Sequence, residues 1–146
     1  MDGIPDQLTL RSFSARLLGR LVVFVCTPGC DIDDRDWAEY VQWLKLLQRE
    51  KTELKVLTAA GGRAPSSAQR GLLSRELDTA QIRLAVLLTD PKLVVIVKVS
   101  SWFMKGAEPF KAHELDKALA YLGETDVSRV RHAIRELGGT VYSAAR

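Results

Sequence analysis

The sequence predicts a layered α/β fold in which helices pack on a mixed sheet of four to five strands, followed by an extra C-terminal helix. The first observation is that β-branched and aromatic runs, such as LVVFVC at residues 21–26, have the composition of strands buried on both faces. The second is that amphipathic stretches with helical spacing separate these runs. Strands separated by helices of this length indicate βαβ units, and therefore a largely parallel or mixed sheet.

The N-terminal half supplies the first strands and the best-defined helix. Residues 8–18 are predicted to form a hairpin with the strand at 21–26 through Gly19-Arg20. The aspartates of residues 31–36 then provide N-caps and place negative charge at the positive end of a helix. That helix has one apolar stripe, whose members recur at three- and four-residue steps: Trp37, Tyr40, Val41, Leu44 and Leu47. Residues 54–60 form the next strand, which ends at Gly61-Gly62.

The C-terminal half alternates in the same way. Its predicted elements are a helix from Pro65, a strand at 83–88, and helices at 113–122 and 126–137. The segment 92–104 has the composition of a strand, but Asp90-Pro91 resembles a helix start and the apolar residues share one helical face. We therefore favour a helix there, with a strand as the alternative.

Length and composition predict one globular domain. The chain has 146 residues, of which 47% are hydrophobic and 27% charged, so it can bury one substantial core. Its net charge of +3 comes from 21 basic and 18 acidic residues whose signs are interspersed. The nearest feature to a basic stripe is the C-terminal helical set Arg129, Arg131, His132 and Arg135. We expect no nucleic-acid partner.

Two features predict a cytoplasmic protein. The first residues lack the positive and apolar regions of a secretory signal, and the longest apolar runs are far shorter than the roughly 20 residues of a membrane helix. Cys26 and Cys30 are separated by three residues rather than the two of a redox pair, and we interpret both as reduced thiols. No membrane insertion is expected.

The sequence contains no recognisable catalytic motif. The acidic residues 31–36 follow a buried strand, where Mg²⁺ ligands lie in some enzymes, but a solvated helix cap explains them with fewer assumptions. The available nucleophiles are the two cysteines, Ser66 and Ser67, and neither His113 nor His132 lies in a triad-like or GxSxG arrangement. We expect a protein that is not an enzyme and holds no cofactor and no metal.

The turn before the helix from Pro65 combines glycines, hydroxyls and arginines. Its candidate phosphorylation or anion-binding residues are Arg63, Ser66, Ser67 and Arg70. Backbone N–H groups and the helix dipole favour an anion at such a turn. A serine that only caps the helix is the alternative interpretation. A P-loop is excluded because no Gly-Lys-Ser/Thr follows at the required spacing.

A second candidate surface lies later in the chain. Trp102, Phe103 and Met104 end an apolar segment just before a loop that contains glycine. These residues form either the edge of the core or an exposed patch that contacts a protein partner or a lipid.

The order of elements and two stretches of sequence resemble the STAS domain, more narrowly its SpoIIAA-like branch of anti-sigma-factor antagonists. The matching stretches are RLVVFVCTPGCDIDDRDWAEYVQWLKLL at residues 20–47, and SWF at 101–103 followed by FKAHELDKALAYL at 110–122. The resemblance implies a SpoIIAA-like domain over residues 1–123. Residues 124–146 would then be a C-terminal helical extension packed on the same domain.

In antagonists of this family, a partner kinase phosphorylates a serine at the start of the helix after the central strand, and the phosphate controls binding. Ser66 takes that place here, while Pro65 and Ala68 replace the family's aspartate and glycine. The resemblance implies a bacterial regulatory protein in signalling, which binds a protein partner such as a kinase or an anti-sigma-like regulator. A small carrier of an apolar, lipid-like or phosphorylated molecule is the alternative, and homo-oligomer formation stays open.

Overall fold

The computed structural model describes residues 3–61, 63–89, 92 and 106–142. Within them, six strands form one mixed sheet in chain order. The strands are β1 (Gln7–Thr9), β2 (Phe13–Leu18), β3 (Leu21–Cys26), β4 (Leu54–Gly61), β5 (Ile82–Leu88) and β6 (Ala107–Lys111). β1, β2 and β3 pair antiparallel, whereas β3 to β6 pair parallel. The predicted layered α/β fold is confirmed.

The sheet has six strands rather than the predicted four to five because residues 8–18 contribute to two strands instead of one, and because Ala107–Lys111 add β6 beside β5. The backbone N–H of Leu10 donates to the Phe13 carbonyl at 3.0 Å and closes a turn between them. Within that turn, the backbone N–H of Ser12 donates to the Asp36 carboxylate at 2.9 Å instead of joining the sheet. The hairpin predicted through Gly19-Arg20 does form between β2 and β3.

Four α-helices of the described residues flank the sheet: α1 (Asp34–Lys51), α2 (Ser67–Glu76), α3 (Leu115–Leu122) and α4 (Val127–Glu136). α1 begins after Asp33, whose carboxylate accepts hydrogen bonds from the backbone N–H groups of Arg35 and Asp36. α3 ends at Gly123, whose φ of 74° lies in the left-handed region that glycine adopts without strain. All four helices lie where the sequence predicts them.

α1 and α2 cover one face of the sheet. The predicted apolar stripe of α1 is buried there, and Trp37 and Tyr40 contact the rings of Phe13 and Phe24. The centroids of the Phe13 and Phe24 rings lie 4.5 Å apart. Burial of large aromatic side chains stabilises a hydrophobic core, so this cluster holds α1 against β2 and β3.

α3 and α4 cover the opposite face, where Leu119 of α3 and Ile134 of α4 are buried in one core with Leu57 of β4. α4 packs on β3, and the chain then passes over the end of that strand at Gly139. A Cβ atom at Gly139 would lie 2.8 Å from Cγ1 of Val25, so this close approach requires glycine. The residues after α4 are thereby held at the carboxyl end of β3.

Part of the sequence prediction lies outside the described residues. This applies to the choice between helix and strand for residues 92–104, apart from Lys92, and to the candidate surface of Trp102, Phe103 and Met104. Among the described residues, no helix combines the length and apolarity needed to cross a membrane.

Candidate functional site

The four parallel strands place their carboxyl ends on one edge of the sheet. Open α/β sheets bind ligands at this edge, in crevices outside the strand ends. A cleft of about 400 Å³ lies there in this protein. It is bounded by the ends of β3, β4 and β5, by the turn after β6 and by the segment after α4.

A row of three aligned residues forms the apolar floor of the cleft. Val25 pairs with Ala59, and Ala59 pairs with Leu87, across three neighbouring parallel strands. All three residues line the cleft and belong to the core on the α3–α4 face. Because Ala59 stands between two larger residues, its short side chain leaves space above the middle strand.

Hydroxyl groups and one guanidinium surround this floor. Thr27, Thr89 and Thr140 line the cleft, together with Tyr142, which is 46% exposed. Arg63 is the single charged residue among the lining residues that the structure describes. The cleft therefore combines an apolar floor with hydrogen-bonding groups and one positive charge.

Asp31 forms a solvent-exposed ion pair with Arg63. Nη1 of Arg63 forms a salt bridge with Oδ1 of Asp31, which joins the loop after β3 to the segment after β4. The Asp31 side chain is 89% exposed and does not line the cleft. An ion pair so open to water is weak, and a guanidinium has five donor hydrogens, so Arg63 has the capacity to bind a second anion.

Cys26 also lines the cleft, but its environment suppresses its reactivity. Burial raises the pKa of the Cys26 thiol to about 12, and the charge of Arg63 opposes that rise. The thiolate is the reactive form of cysteine, so this group is a weak nucleophile near neutral pH. Cys26 and Cys30 are both free thiols in the structure.

Ser66 is the N-cap of α2. Its Oγ accepts a hydrogen bond from the backbone N–H of Gln69 at 3.1 Å, and Oε1 of Gln69 accepts one from the backbone N–H of Ser66 at 2.8 Å. This reciprocal pair is a capping box. Ser66 therefore caps the helix, and the residue is exposed at the same time.

Gln69, which the sequence analysis does not single out, connects the starts of two helices. It is 6% exposed, and its Nε2 donates to the Ile32 carbonyl and to Oδ1 of Asp34, both at 2.9 Å. Its own carbonyl accepts a hydrogen bond from the indole of Trp37 at 2.7 Å. The sequence signal for this role is the S-x-x-Q spacing from Ser66, which is typical of a capping box.

The structure separates the four predicted anion-binding residues. Arg63 lines the cleft, whereas Ser66, Ser67 and Arg70 do not. Ser67 is exposed as the first residue of α2, and Nη1 of Arg70 donates to the Pro65 carbonyl at 2.8 Å. Arg63 thus belongs to the cleft, and the two serines belong to a neighbouring surface.

The acidic residues 31–36 have separate structural roles. Asp31 pairs with Arg63, Asp33 caps α1, and Asp36 accepts a hydrogen bond from the hydroxyl of buried Ser12 at 2.6 Å. Nowhere in the described part of the chain do three or more His, Cys, Asp or Glu residues form a group that could hold a metal ion. These aspartates therefore cap α1 or connect separate segments of the chain through an ion pair or a hydrogen bond.

Neither histidine lines the cleft. His132 is 73% exposed on α4 and lies 3.0 Å from the Glu136 carboxylate, while His113 lies in the turn between β6 and α3. The two candidate bases of the sequence analysis therefore do not line the cleft with the Cys26 thiol, and the hydrogen bonds of Ser66 are with Gln69 rather than with either histidine.

No protein-family model, curated protein or solved structure matches the chain. The fold and the site define a layered α/β protein with a cleft at the carboxyl edge of its parallel strands. The resemblance to the STAS domain therefore stays a prediction from the order of elements and the stretches of sequence given above.

Proposed function

We propose that this protein is a regulatory, non-enzymatic module of the SpoIIAA-like type, which binds a protein partner in the cytoplasm. The observation that carries the proposal is the position of Ser66, an exposed N-cap whose hydrogen-bonded neighbours tie α2 to the start of α1. The antagonists that the chain resembles carry their phosphorylated serine at this place. The proposed binding surface consists of the loop between β3 and α1 and the first turn of α2.

Phosphate at Ser66 would form where negative charge is favourable. The start of α2 carries the positive end of the helix dipole, which stabilises an anion. Arg63 and Arg70 lie three and four residues from Ser66 in the chain, and their guanidinium groups would turn from the cleft and from the Pro65 carbonyl to form charge-assisted hydrogen bonds with the phosphate. Arg63 would then be shared with Asp31, since their ion pair is largely solvent-exposed and weak.

The same modification would change the surface offered to a partner. Phosphate adds roughly two negative charges at pH 7. The Ser66 hydroxyl oxygen also caps Gln69, and Gln69 holds Ile32 and Asp34 through its side chain. Any shift of the cap is therefore passed to the loop before α1, so partner affinity changes without unfolding of the domain.

The neighbouring side chains favour binding over catalysis. The Cys26 thiol is buried and its pKa is raised to about 12, which leaves it without thiolate character at neutral pH. The Ser12 hydroxyl donates to Asp36 and accepts from the backbone N–H of Asp33, which stabilises the start of α1.

The state of the cysteines supports the proposed location. Cys26 and Cys30 are free thiols, which are typical of the cytoplasm because thiols stay reduced there.

Phosphorylation of the chain in an extract of its native cells tests the proposal. Ser66→Ala and Ser67→Ala distinguish the two hydroxyls, and Ser74→Ala is the matched control because Ser74 is exposed further along the same helix. We expect mass spectrometry to map phosphate to Ser66 in the wild type and in the variants at positions 67 and 74. Phosphate only at other residues, or none, would contradict the proposal.

A further inference from the structure

The cleft at the strand ends adjoins the proposed regulatory surface at Thr27, Pro28 and Gly29, the first residues of the loop between β3 and α1, but neither Ser66 nor Ser67 lines it. Its volume of about 400 Å³ lies within the range of roughly 300–1,000 Å³ that small-molecule sites occupy. Its position outside the carboxyl ends of parallel strands is the place where open α/β sheets hold ligands. The cleft therefore has the size and the place of a ligand site in its own right.

The charge of the lining specifies one part of the ligand. Arg63 is the one charged lining residue in the described part of the chain, and no described carboxylate lines the cleft with it. Its charge also acts on another lining residue, because it lowers the pKa of the buried Cys26 thiol against the larger effect of burial. A single guanidinium beside a partly apolar cleft favours a ligand with one anionic group.

The floor specifies the other part of the ligand. Val25, Ala59 and Leu87 form an aligned apolar row, and the small residue in the middle provides the space above it. The threonine hydroxyls around this row provide hydrogen-bond partners for polar atoms of the bound molecule. A purely inorganic anion would pair with Arg63 but would not use the apolar part of the lining.

We propose that the cleft binds a small amphipathic organic anion, whose carboxylate or phosphate pairs with Arg63 while its apolar part lies on Val25, Ala59 and Leu87. One wall of the cleft comes from Gly138, Gly139 and the residues after them, so the segment that follows α4 helps to form this site. Because Gly139 approaches Val25 too closely for any side chain, that wall has a defined position.

Titration of the ¹⁵N-labelled chain by NMR tests the ligand class with four probes. Phenylacetate and phenyl phosphate carry the two anionic head groups, phenylacetamide is the neutral match of phenylacetate, and inorganic phosphate is a head group alone. We expect either aromatic anion to shift the amide signals of Thr27, Gly61, Thr89 and Gly139 at millimolar concentration. Phenylacetamide and inorganic phosphate should each bind at least about tenfold more weakly, because each lacks one of the two interactions.

Four variants test the residues. Arg63→Gln should weaken binding of the tighter anion at least about tenfold, while Arg129→Gln, which removes the same charge at the start of α4, should bind like the wild type. Ala59→Leu fills the space above the floor and should abolish binding of every aromatic probe. Asp31→Asn should bind the anion equally or more tightly, because it removes the carboxylate that competes for Arg63.

Two kinds of result would overturn the proposal. One is equal affinity for phenylacetate and phenylacetamide, or no binding of either aromatic anion. The other is unchanged binding in Ala59→Leu or in a folded Arg63→Gln. If Arg63→Gln does not fold, a loss of affinity in Asp31→Asn contradicts the role of Arg63, and retained or tighter affinity supports it.

Discussion

The indole Nε1 of Trp37 lies 2.7 Å from the backbone oxygen of Gln69 and donates a hydrogen bond to it. Trp37 is buried in the aromatic cluster under α1, and Gln69 belongs to the first turn of α2. The bond therefore joins the hydrophobic core to the turn that presents Ser66. Stability of the core and geometry of the proposed regulatory surface are coupled through this contact.

Two substitutions of Trp37 should separate packing from hydrogen bonding. Trp37→Ala should lower the free energy of unfolding by ~3–5 kcal/mol, because a buried aromatic side chain is lost. Trp37→Phe keeps much of the packing but removes the indole donor to the Gln69 carbonyl, so we expect a loss of about 1–2 kcal/mol. Urea unfolding measures both, and equal small losses would mean that the anchoring role of Trp37 is wrong.

Replacement of Ser66 should reveal its capping role independently of any phosphate. Ser66→Ala should lower stability by ~1 kcal/mol, whereas Ser66→Asn and Ser66→Asp should retain it because both side chains cap helices well. Ser74→Ala, on the exposed face of the same helix, should stay within about 0.5 kcal/mol of the wild type. Thermal or urea unfolding decides this, and a wild-type stability for Ser66→Ala would contradict the capping box.

Two glycine-to-alanine substitutions should act with opposite sign. A Cβ atom at Gly106 would lie 2.2 Å from the backbone oxygen of Ile82, so Gly106→Ala forces the backbone to move and should cost more than about 2 kcal/mol. Gly71 lies within α2, where a Cβ atom meets only the end of the Arg75 side chain at 3.9 Å. Gly71→Ala should therefore stabilise the protein by about 0.5–1 kcal/mol. Urea unfolding measures both variants, and a Gly106→Ala protein at least as stable as Gly71→Ala would contradict the prediction.

The buried thiol of Cys26 should be protected from alkylation. Burial raises the pKa of this thiol from 9.0 to about 12. Between these two pH values the folded state keeps the thiol proton, whereas the unfolded chain loses it. Stability should accordingly fall as pH rises from 9 towards 12, since the unfolded state then binds fewer protons. At pH 8, iodoacetamide should modify Cys30 first and reach Cys26 only after denaturation, and equal rates in the native protein would contradict this account.

The helices and the central strands could be predicted because their signals are local. The stripe from Trp37 to Leu47 has helical spacing, and the run at 21–26 is too apolar for anything but a buried strand. The division of residues 8–18 was missed in part because the turn at its centre is stabilised by Asp36, which lies far along the chain and accepts a hydrogen bond from the N–H of Ser12. A contact of that kind has no local signature.

The cleft could not be predicted for the same reason. Its floor depends on the register that aligns Val25, Ala59 and Leu87 across three strands, and its wall depends on where the chain runs after α4. Arg63 was recognised as a candidate because of its neighbours in sequence, yet it lines a different surface from Ser66. Local sequence indicates which groups are present, whereas the sheet register decides which of them meet.

The most direct test of the central claim compares the partner bound by Ser66→Asn with that bound by Ser66→Asp. Both variants keep the helix cap, but only the aspartate adds a negative charge, so a difference between them reports the switch rather than stability. Ser74→Asp adds the same charge elsewhere on α2 and controls for charge alone. If Ser66 is the switch, quantitative affinity capture from native extract should show one partner protein whose recovery differs at least about tenfold between Ser66→Asn and Ser66→Asp. Ser74→Asp should recover the same amount of that protein as the wild type does. Equal recovery of the same proteins by all three would contradict the account.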